Sequence, residues 1–566
     1  MAGGHNGKKA ARTCRAPGPR TNTPLFFLLA ALLLLFGGYY DAMVFAAAAL
    51  LAVLLAFSIH RAGALTLPRG PIPWLLAGLF LCSLVTLPAA ISPGMALTGA
   101  LRWLAALLFY LYAATYTQEE RALILDSTAM LGAVMAAVSV FLFAATRFTG
   151  GTDANGRIDG FFQYANTYAL FLLACLVLLL LKSRRPMDWP AMAALLLCIF
   201  LTGSRGVFLL LLAAGLFLAI RALVVKRQIR PVLLGVGALA VLGVLAVVFS
   251  GGLVLRRLAA ITLDSSSLNG RLLYYLDGLR ILSAHPLGIG RGGYLYLQPL
   301  VQTGPYILKS IHNEYLQAAL DGGVLSGVLM AALVCAVVFR RGAPLRERLT
   351  AALLGLHAFI DFDFQFFAVL CLLLLCGLGT ESRALRPGKG AVWAAGSVLA
   401  AVFAFFTLPY GFSFFGSSGT AYALWPFDLS LAENRLQHCE NLDEAGAVAD
   451  RILAGTDTSM LAWDCKFAQA AAQADYPAMA EYRYQYLRLN PYRPEVYEEM
   501  ATLLENACQE APEEIALYKT LAEQTQQLLE EVYQRTSPLA HKIVDRPDFS
   551  FRPALLIKLQ DIEERY

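Results

Sequence analysis

Apolar positions in this chain come in long runs rather than in stripes. A helix needs about 20 apolar residues to cross hydrocarbon. Runs of that order recur between Pro24 and Pro409, separated by short polar stretches. The pattern predicts about thirteen spans, at residues 24–40, 42–59, 71–90, 96–116, 121–146, 163–181, 189–203, 206–224, 231–250, 315–339, 349–361, 364–380 and 391–410. The eleventh is short and reads as a broken or re-entrant helix. After residue 410 no spanning run remains, and Ala, Glu, Gln and Tyr recur at helical spacing. Within this tail, AWDCKFAQAAAQADYPAMAEYRYQYLRLNPYRPEVYEEMATLLENA resembles a tetratricopeptide-type helical hairpin. It has small residues where helices would touch, a DYP turn and an LNPYRPE break. A plain helical bundle is the alternative.

The expected fold is therefore an all-α polytopic membrane protein with about thirteen transmembrane helices. A long polar segment, 251–314, interrupts them, and an α-helical, tetratricopeptide-like domain follows. The boundaries are 1–23 for a basic tail, 24–410 for the transmembrane domain and 411–566 for the C-terminal helical domain.

Composition narrows the class. With 58% hydrophobic and 15% charged residues, the chain is not an ordinary soluble enzyme. The net charge of +5 is no nucleic-acid footprint, because the Lys and Arg residues lie in short inter-helix loops. They set orientation instead. Lys8, Lys9, Arg12, Arg15 and Arg20 fall on one side with Arg61, Arg69, Lys182, Arg184, Arg185, Arg221, Lys226, Arg227, Arg230, Arg340, Arg341, Arg346, Arg348, Arg383, Arg386 and Lys389. That side is expected to be cytoplasmic. The opposite loops hold Arg147, Arg157, Arg205 and the arginines of 251–314, which need a reason other than topology. An odd number of spans puts the C-terminal domain outside. The first apolar run lacks a small-residue cleavage site and is read as a retained helix.

Cys82, Cys175, Cys198, Cys335, Cys371 and Cys376 lie in apolar helices as small packing residues. Cys439, Cys465 and Cys508 lie in the tail, where one disulfide among them is an option. No CxxC spacing suggests a metal site.

The polar segment carries the candidate chemistry. It reads NGRLLYYLDGLRILSAHPLGIGRGGYLYL from Asn269, then HNEYLQAALDGG from His312. A histidine, with an ordinary pKa of about 6.5, can accept the proton of an attacking hydroxyl. The plainer reading of His312-Asn313 is a helix cap. If 271–283 is a helix, Arg271, Tyr274, Tyr275 and Gly278 share one side. Arg205, in TGSRG, sits between two glycines that allow a tight turn. Guanidinium groups suit phosphate oxygens, which favours anion contact at Arg205 and Arg271. Arg102 lies inside the fourth span, where an arginine costs roughly 3 kcal/mol unless it is paired. Asp361 and Asp363, in HAFIDFDFQFF, could hold a divalent metal or could simply break the helix. His357 is expected to face the bundle interior. The glycines of HPLGIGRGGY form neither a Rossmann fingerprint nor a P-loop.

Three segments carry a family resemblance: NGRIDGFFQYANTYALFL, with Arg157, Gly160 and Asn166; TGSRG; and the polar segment with the helix after it. Each motif alone is weak, but their order, spacing and shared outer location are specific. Together they resemble the O-antigen ligase and polymerase superfamily, whose members are similar to C-type glycosyltransferases. The resemblance implies transfer of a glycan from an undecaprenyl-diphosphate-linked donor to an acceptor hydroxyl. The acceptor would be a glycan, lipid or protein on the outer face of the bacterial cytoplasmic membrane, and neither metal nor cofactor is implied. His312 would be the base, and Arg205 and Arg271 would bind the diphosphate and stabilise its charge. Arg157 and Asn166 would line the donor cavity, Asn313 and Tyr315 would shape the loop, and Arg291 would contact substrate. The C-terminal domain would serve acceptor recognition or an envelope partner. A polymerase of the same superfamily, a transporter or flippase of lipid-linked glycans, and a non-catalytic assembly protein are the rival readings.

Overall fold

The computed structural model describes residues 24–148, 156–182, 185–262 and 265–565. The basic tail 1–23, Arg184 and the side chain of Arg147 lie outside the described residues. The membrane domain holds α1 (Pro24–Leu34), α2 (Asp41–Ala62), α3 (Ile72–Val85), α4 (Pro93–Ala113), α5 (Gln118–Phe148), α6 (Ala165–Leu180), α7 (Asp188–Thr202), α8 (Arg205–Ile220) and α9 (Arg230–Phe249). The polar segment that follows contains α10 (Leu253–Ala259), α11 (Ser266–Ala284) and α12 (Gly293–Val301). Beyond it come α13 (Glu314–Gly322), α14 (Val324–Val338), α15 (Leu345–His357), α16 (Phe367–Cys376) and α17 (Lys389–Phe414).

Among the described residues, seven helices are long and apolar enough to cross a membrane: α2, α3 with its 3-10 extension, α4, α5, α8 with its last turn, α9 and α17. The five apolar helices α1, α6, α7, α14 and α16 are shorter, at 10–17 residues. The length differences follow the surroundings. No charged residue occurs in α6 or α16, and both are buried on nearly every face, as expected of helices that are apolar all round. By contrast α9 buries only Ala246, so its Leu and Val side chains face outward as a lipid-contacting surface would. The expected span 315–339 is two helices, α13 and α14, broken at Gly323. The polar segment 251–314 is largely helical, and α11 contains the stretch 271–283 whose spacing allowed a helix.

A feature not foreseen is a small antiparallel ribbon. Strand β1 (Leu65–Pro68) pairs with β2 (Ser382–Leu385), with Leu65 opposite Leu385. It ties the basic connection after α2 to the basic connection before α17. At the same end, Arg121 donates to the Gly379 carbonyl at 3.0 Å and Arg346 pairs with Asp126 at 2.7 Å. The basic connections thus gather at one end of the bundle. The other end holds α10 to α13 and the turn 358–366.

That other end is braced by a buried ion cluster. Asp41, at the start of α2, takes Arg102 at 2.7 Å and Arg291 at 2.7 Å. Arg102 also donates to the Gln365 carbonyl at 2.6 Å. The arginine inside the fourth span is therefore a structural pair. Arg291 belongs to this cluster and not to the group around His312.

The C-terminal domain comprises α18 (Ser418–Leu424), α19 (Leu429–Gln437), α20 (Leu442–Gly455), α21 (Met460–Ala472), α22 (Tyr476–Arg488), α23 (Pro494–Glu510), α24 (Ile515–Arg535) and α25 (Arg552–Arg565). The DYP turn separates α21 from α22, with Asp475 capping the latter, and the LNPYRPE break separates α22 from α23. Cys439, Cys465 and Cys508 are unpaired in this structure.

Candidate functional site

The turn between α15 and α16 starts the site. Its sequence, Ile360-Asp361-Phe362-Asp363, places two carboxylates two residues apart, and each takes a different histidine. Asp363 accepts from His357 Nδ1 at 2.7 Å and from Thr167 at 2.8 Å. His357 and Asp363 are 2% and 0% exposed, so this pair is a structural pin between α15, α6 and the turn.

Asp361 is the hub of the second group. Its Oδ1 accepts from the Tyr164 hydroxyl at 2.8 Å, the Phe362 backbone N–H at 3.0 Å and His312 Nδ1 at 3.1 Å. Its Oδ2 accepts from Asn166 Nδ2 at 2.9 Å, and Arg271 Nη2 lies 3.6 Å from the same oxygen. Burial alone would raise this carboxyl. The hydrogen bond from His312, together with the nearby positive charge of Arg271, instead holds it well below the usual carboxylate range. It is therefore an anion at neutral pH.

The carboxylate orders the histidine. With Nδ1–H donated to Asp361, Nε2 is the ring nitrogen left with a free lone pair. His312 sits at φ +54°, a backbone region uncommon for residues other than glycine. The Tyr275 hydroxyl supports it by donating to the His312 carbonyl at 2.7 Å and the Phe359 carbonyl at 2.9 Å. Asn313 then caps α13, accepting from the N–H groups of Tyr315 and Leu316, both at 3.0 Å. The cap reading thus belongs to Asn313, which leaves the His312 ring free for other work. Tyr315 donates to the Gly355 carbonyl at 2.7 Å and pins α13 to α15.

Several arginines cluster on this side of the carboxylate. Arg157 donates from Nε to the Thr202 carbonyl at 2.7 Å and from Nη2 to Asn166 Oδ1 at 2.9 Å. Asn166 therefore links Arg157 to Asp361. Arg205, at the start of α8, donates to the Ala260 carbonyl at 3.1 Å and lies within electrostatic range of Arg257 and Arg271. Arg271, on α11, bonds Ser267 at 2.9 Å. Arg271 and Arg157 thus lie near the ordered carboxylate, and Arg205 and Arg257 lie within electrostatic range of these two arginines. The side chains of His312 and Arg271 are 21% and 22% exposed, against 1% for Asp361. A ligand can reach the base and the cation, while the carboxylate that orders them stays behind.

The structure brings together His312, Arg271, Arg205, Arg157 and Asn166 and leaves Arg291 in the Asp41 cluster. Two residues escaped sequence reasoning. The sequence presents Asp361 as a metal ligand or helix breaker, and the structure makes it the partner of His312. Arg257 stood unremarked among the arginines of the polar segment, although an arginine on the sparsely charged side was itself a signal.

Residues 190–331 match the family model described as O-antigen ligase. The match covers Arg205, Arg257, Arg271 and His312; Arg157, Asn166 and Asp361 lie outside it. No curated protein and no solved structure matches the chain.

Proposed function

Since the chain belongs, through residues 190–331, to the O-antigen ligase and polymerase superfamily, we propose that it is a membrane glycosyltransferase using His312 as its base. In this reading the donor is a glycan on undecaprenyl diphosphate. The acceptor hydroxyl loses its proton to His312 Nε2 as its oxygen attacks the anomeric carbon. The bond from that carbon to the diphosphate oxygen breaks, and the leaving diphosphate keeps the electron pair. Arg205 and Arg271, with Arg157 and Arg257 behind them, stabilise the growing negative charge.

The observation that carries the reading is the convergence of His312 and Arg271 on Asp361. One ordered carboxylate sets the tautomer of the base and holds the cation beside it. The polar atoms needed for hydroxyl activation and diphosphate departure then sit within one small region. The excess of basic connections at the other end supports an orientation with that end cytoplasmic, which leaves the site and the C-terminal domain outside.

The test is transfer by the purified full-length chain in lipid, supplied with an undecaprenyl-diphosphate glycan and candidate acceptors. Wild type should transfer, and His312→Ala should be slower by about 10²–10⁴-fold while unfolding at the wild-type temperature. Equal rates would remove His312 from the base role. Donor crossing the bilayer without transfer would point to a transporter. Lengthening of the glycan on its lipid carrier would identify a polymerase, and appearance on a separate acceptor a ligase.

A further inference from the structure

The basic end of the bundle, away from His312, holds an open cavity of about 490 Å³. This is within the range of small-ligand pockets, about 300–1,000 Å³. Its walls come from separate pieces of chain: α5, the connection before α7, the end of α8 and the start of α15. Lys182, Arg185, Arg221, Lys226 and Arg346 line it together with Asp126. Arg346 is neutralised by Asp126 at 2.7 Å and Lys182 by Asp188 at 3.0 Å. Among the described residues, Arg185, Arg221 and Lys226 form no ion pair. Orientation in a membrane asks for an excess of basic residues in the loops of one side. It does not ask that cations from distant parts of the chain converge on one concavity.

Two further features mark the place. The last turn of α8, Arg221–Val225, is π-helical, a geometry that occurs mostly as single turns and frequently at functional sites. Immediately before and within that turn, α8 exposes Phe217, Ile220 and Val224. A cationic hollow therefore meets an apolar outer surface at one edge. A soluble anion would use the first feature alone. A phospholipid uses both, placing its phosphate among the cations and its chains along α8.

We propose that this cavity binds the phosphate of an anionic phospholipid headgroup in the leaflet at the basic end of the bundle. Basic hollows between transmembrane helices on that side suit such headgroups. The site is distinct from the glycan-transfer site, and its test involves no transfer.

The test uses the full-length chain in nanodiscs containing phosphatidylglycerol diluted in phosphatidylcholine, with native mass spectrometry counting retained lipid. Wild type should retain phosphatidylglycerol over phosphatidylcholine. The triple variant R185Q/R221Q/K226Q should lose that preference by about 100-fold, from roughly a factor of five for each basic residue near an anionic lipid surface. The control triple R61Q/R383Q/R386Q removes the same charge from the same end and should retain it, as should the charge-keeping R185K/R221K. Equal loss in both glutamine triples, or none in either, overturns the proposal. Displacement of phosphatidylglycerol by millimolar inorganic phosphate also overturns it, in favour of a soluble anion.

Discussion

At the residue scale the site turns on Asp361. His312 lies 49 positions away in sequence, Asn166 lies 195 away and Tyr164 lies 197 away. No periodicity or local motif connects residues so separated, which is why this carboxylate was not legible as their partner. The chemical types of His312, Arg205 and Arg271 were legible, because a base and bare cations on a sparsely charged side need explaining. Asp361→Asn keeps the shape of the side chain but offers an amide where two carboxylate oxygens were. In the Ser-His-Asp triad the same change leaves the geometry and costs about 10⁴ in kcat through the wrong tautomer. Asp361→Asn should therefore lower kcat by at least about 10²-fold, with KM changed far less. Steady-state transfer kinetics check this, and an unchanged kcat would end the tautomer argument. Asp363→Asn, in the fully buried pair with His357, should act first on the unfolding temperature.

Glu314, on the short helix α13 ahead of α14, gives a pH prediction at the same scale. Its carboxylate accepts from the N–H of Phe364 at 2.6 Å and of Gln365 at 3.1 Å. Burial first, and then the neighbouring Asp363 charge, push it up from 4.5 to about 8, against the pull of those two N–H groups. The folded state thus prefers the protonated acid. Its contribution to stability is full below the unfolded value of 4.5 and is lost as pH rises toward 8. The unfolding temperature should fall across this window in wild type and fall less in Glu314→Gln, which stays neutral. Parallel curves for the two proteins would refute the assignment.

At the element scale, the hydrophobic runs gave the helices of the bundle but not the folding of 251–314. The buried side of α11 includes Asn269, Gly270, Asp277 and Gly278, so its inward face does not read as apolar. Its core is polar by design: Asp277 accepts from the Thr303 N–H at 2.9 Å and the Tyr306 hydroxyl at 2.7 Å, fastening the chain that leads to His312. The break between α13 and α14 has a steric cause. Gly323 has φ +85°, and a Cβ there would lie 2.9 Å from the Leu287 carbonyl oxygen; a Cβ on Gly288, at φ +91°, would lie 2.5 Å from the Gly323 nitrogen. The HPLGIG turn and the α13–α14 break are thus packed backbone to backbone. Gly323→Ala should destabilise the protein by about 1–3 kcal/mol, read from thermal unfolding. An unchanged unfolding temperature would mean that the two segments can separate without cost.

At the scale of the whole molecule, the C-terminal domain is fastened to α4, α12 and α11, and α11 carries Arg271 of the site. Near α4, the Gly94 N–H donates to the Phe427 carbonyl at 3.0 Å, and the Leu429 N–H donates to Ser92 Oγ at 3.1 Å. On α12, Tyr296 donates to Glu433 at 2.9 Å. Arg535 donates to the Leu300 carbonyl at 3.0 Å, and the Ser537 N–H donates to the Thr303 carbonyl at 2.9 Å. Ala540 is fully buried beside Leu273 and Tyr306, and Leu273 is two residues from Arg271 on α11. None of this was readable from the tail's own pattern, which announces helices but not what they rest on. The clamp implies that the domain steadies α11 and hence the distance from Arg271 to Asp361. Ala540→Glu puts an unpaired carboxylate into this junction, where a charge is costly to bury, so the segment should detach while the transmembrane helices stay packed. Transfer should fall several-fold with the main thermal unfolding transition kept, and protease should cut near residue 540 sooner than in wild type. Faster cleavage with full transfer would show that the site holds its geometry without the domain, and would leave the domain a role in recognition alone.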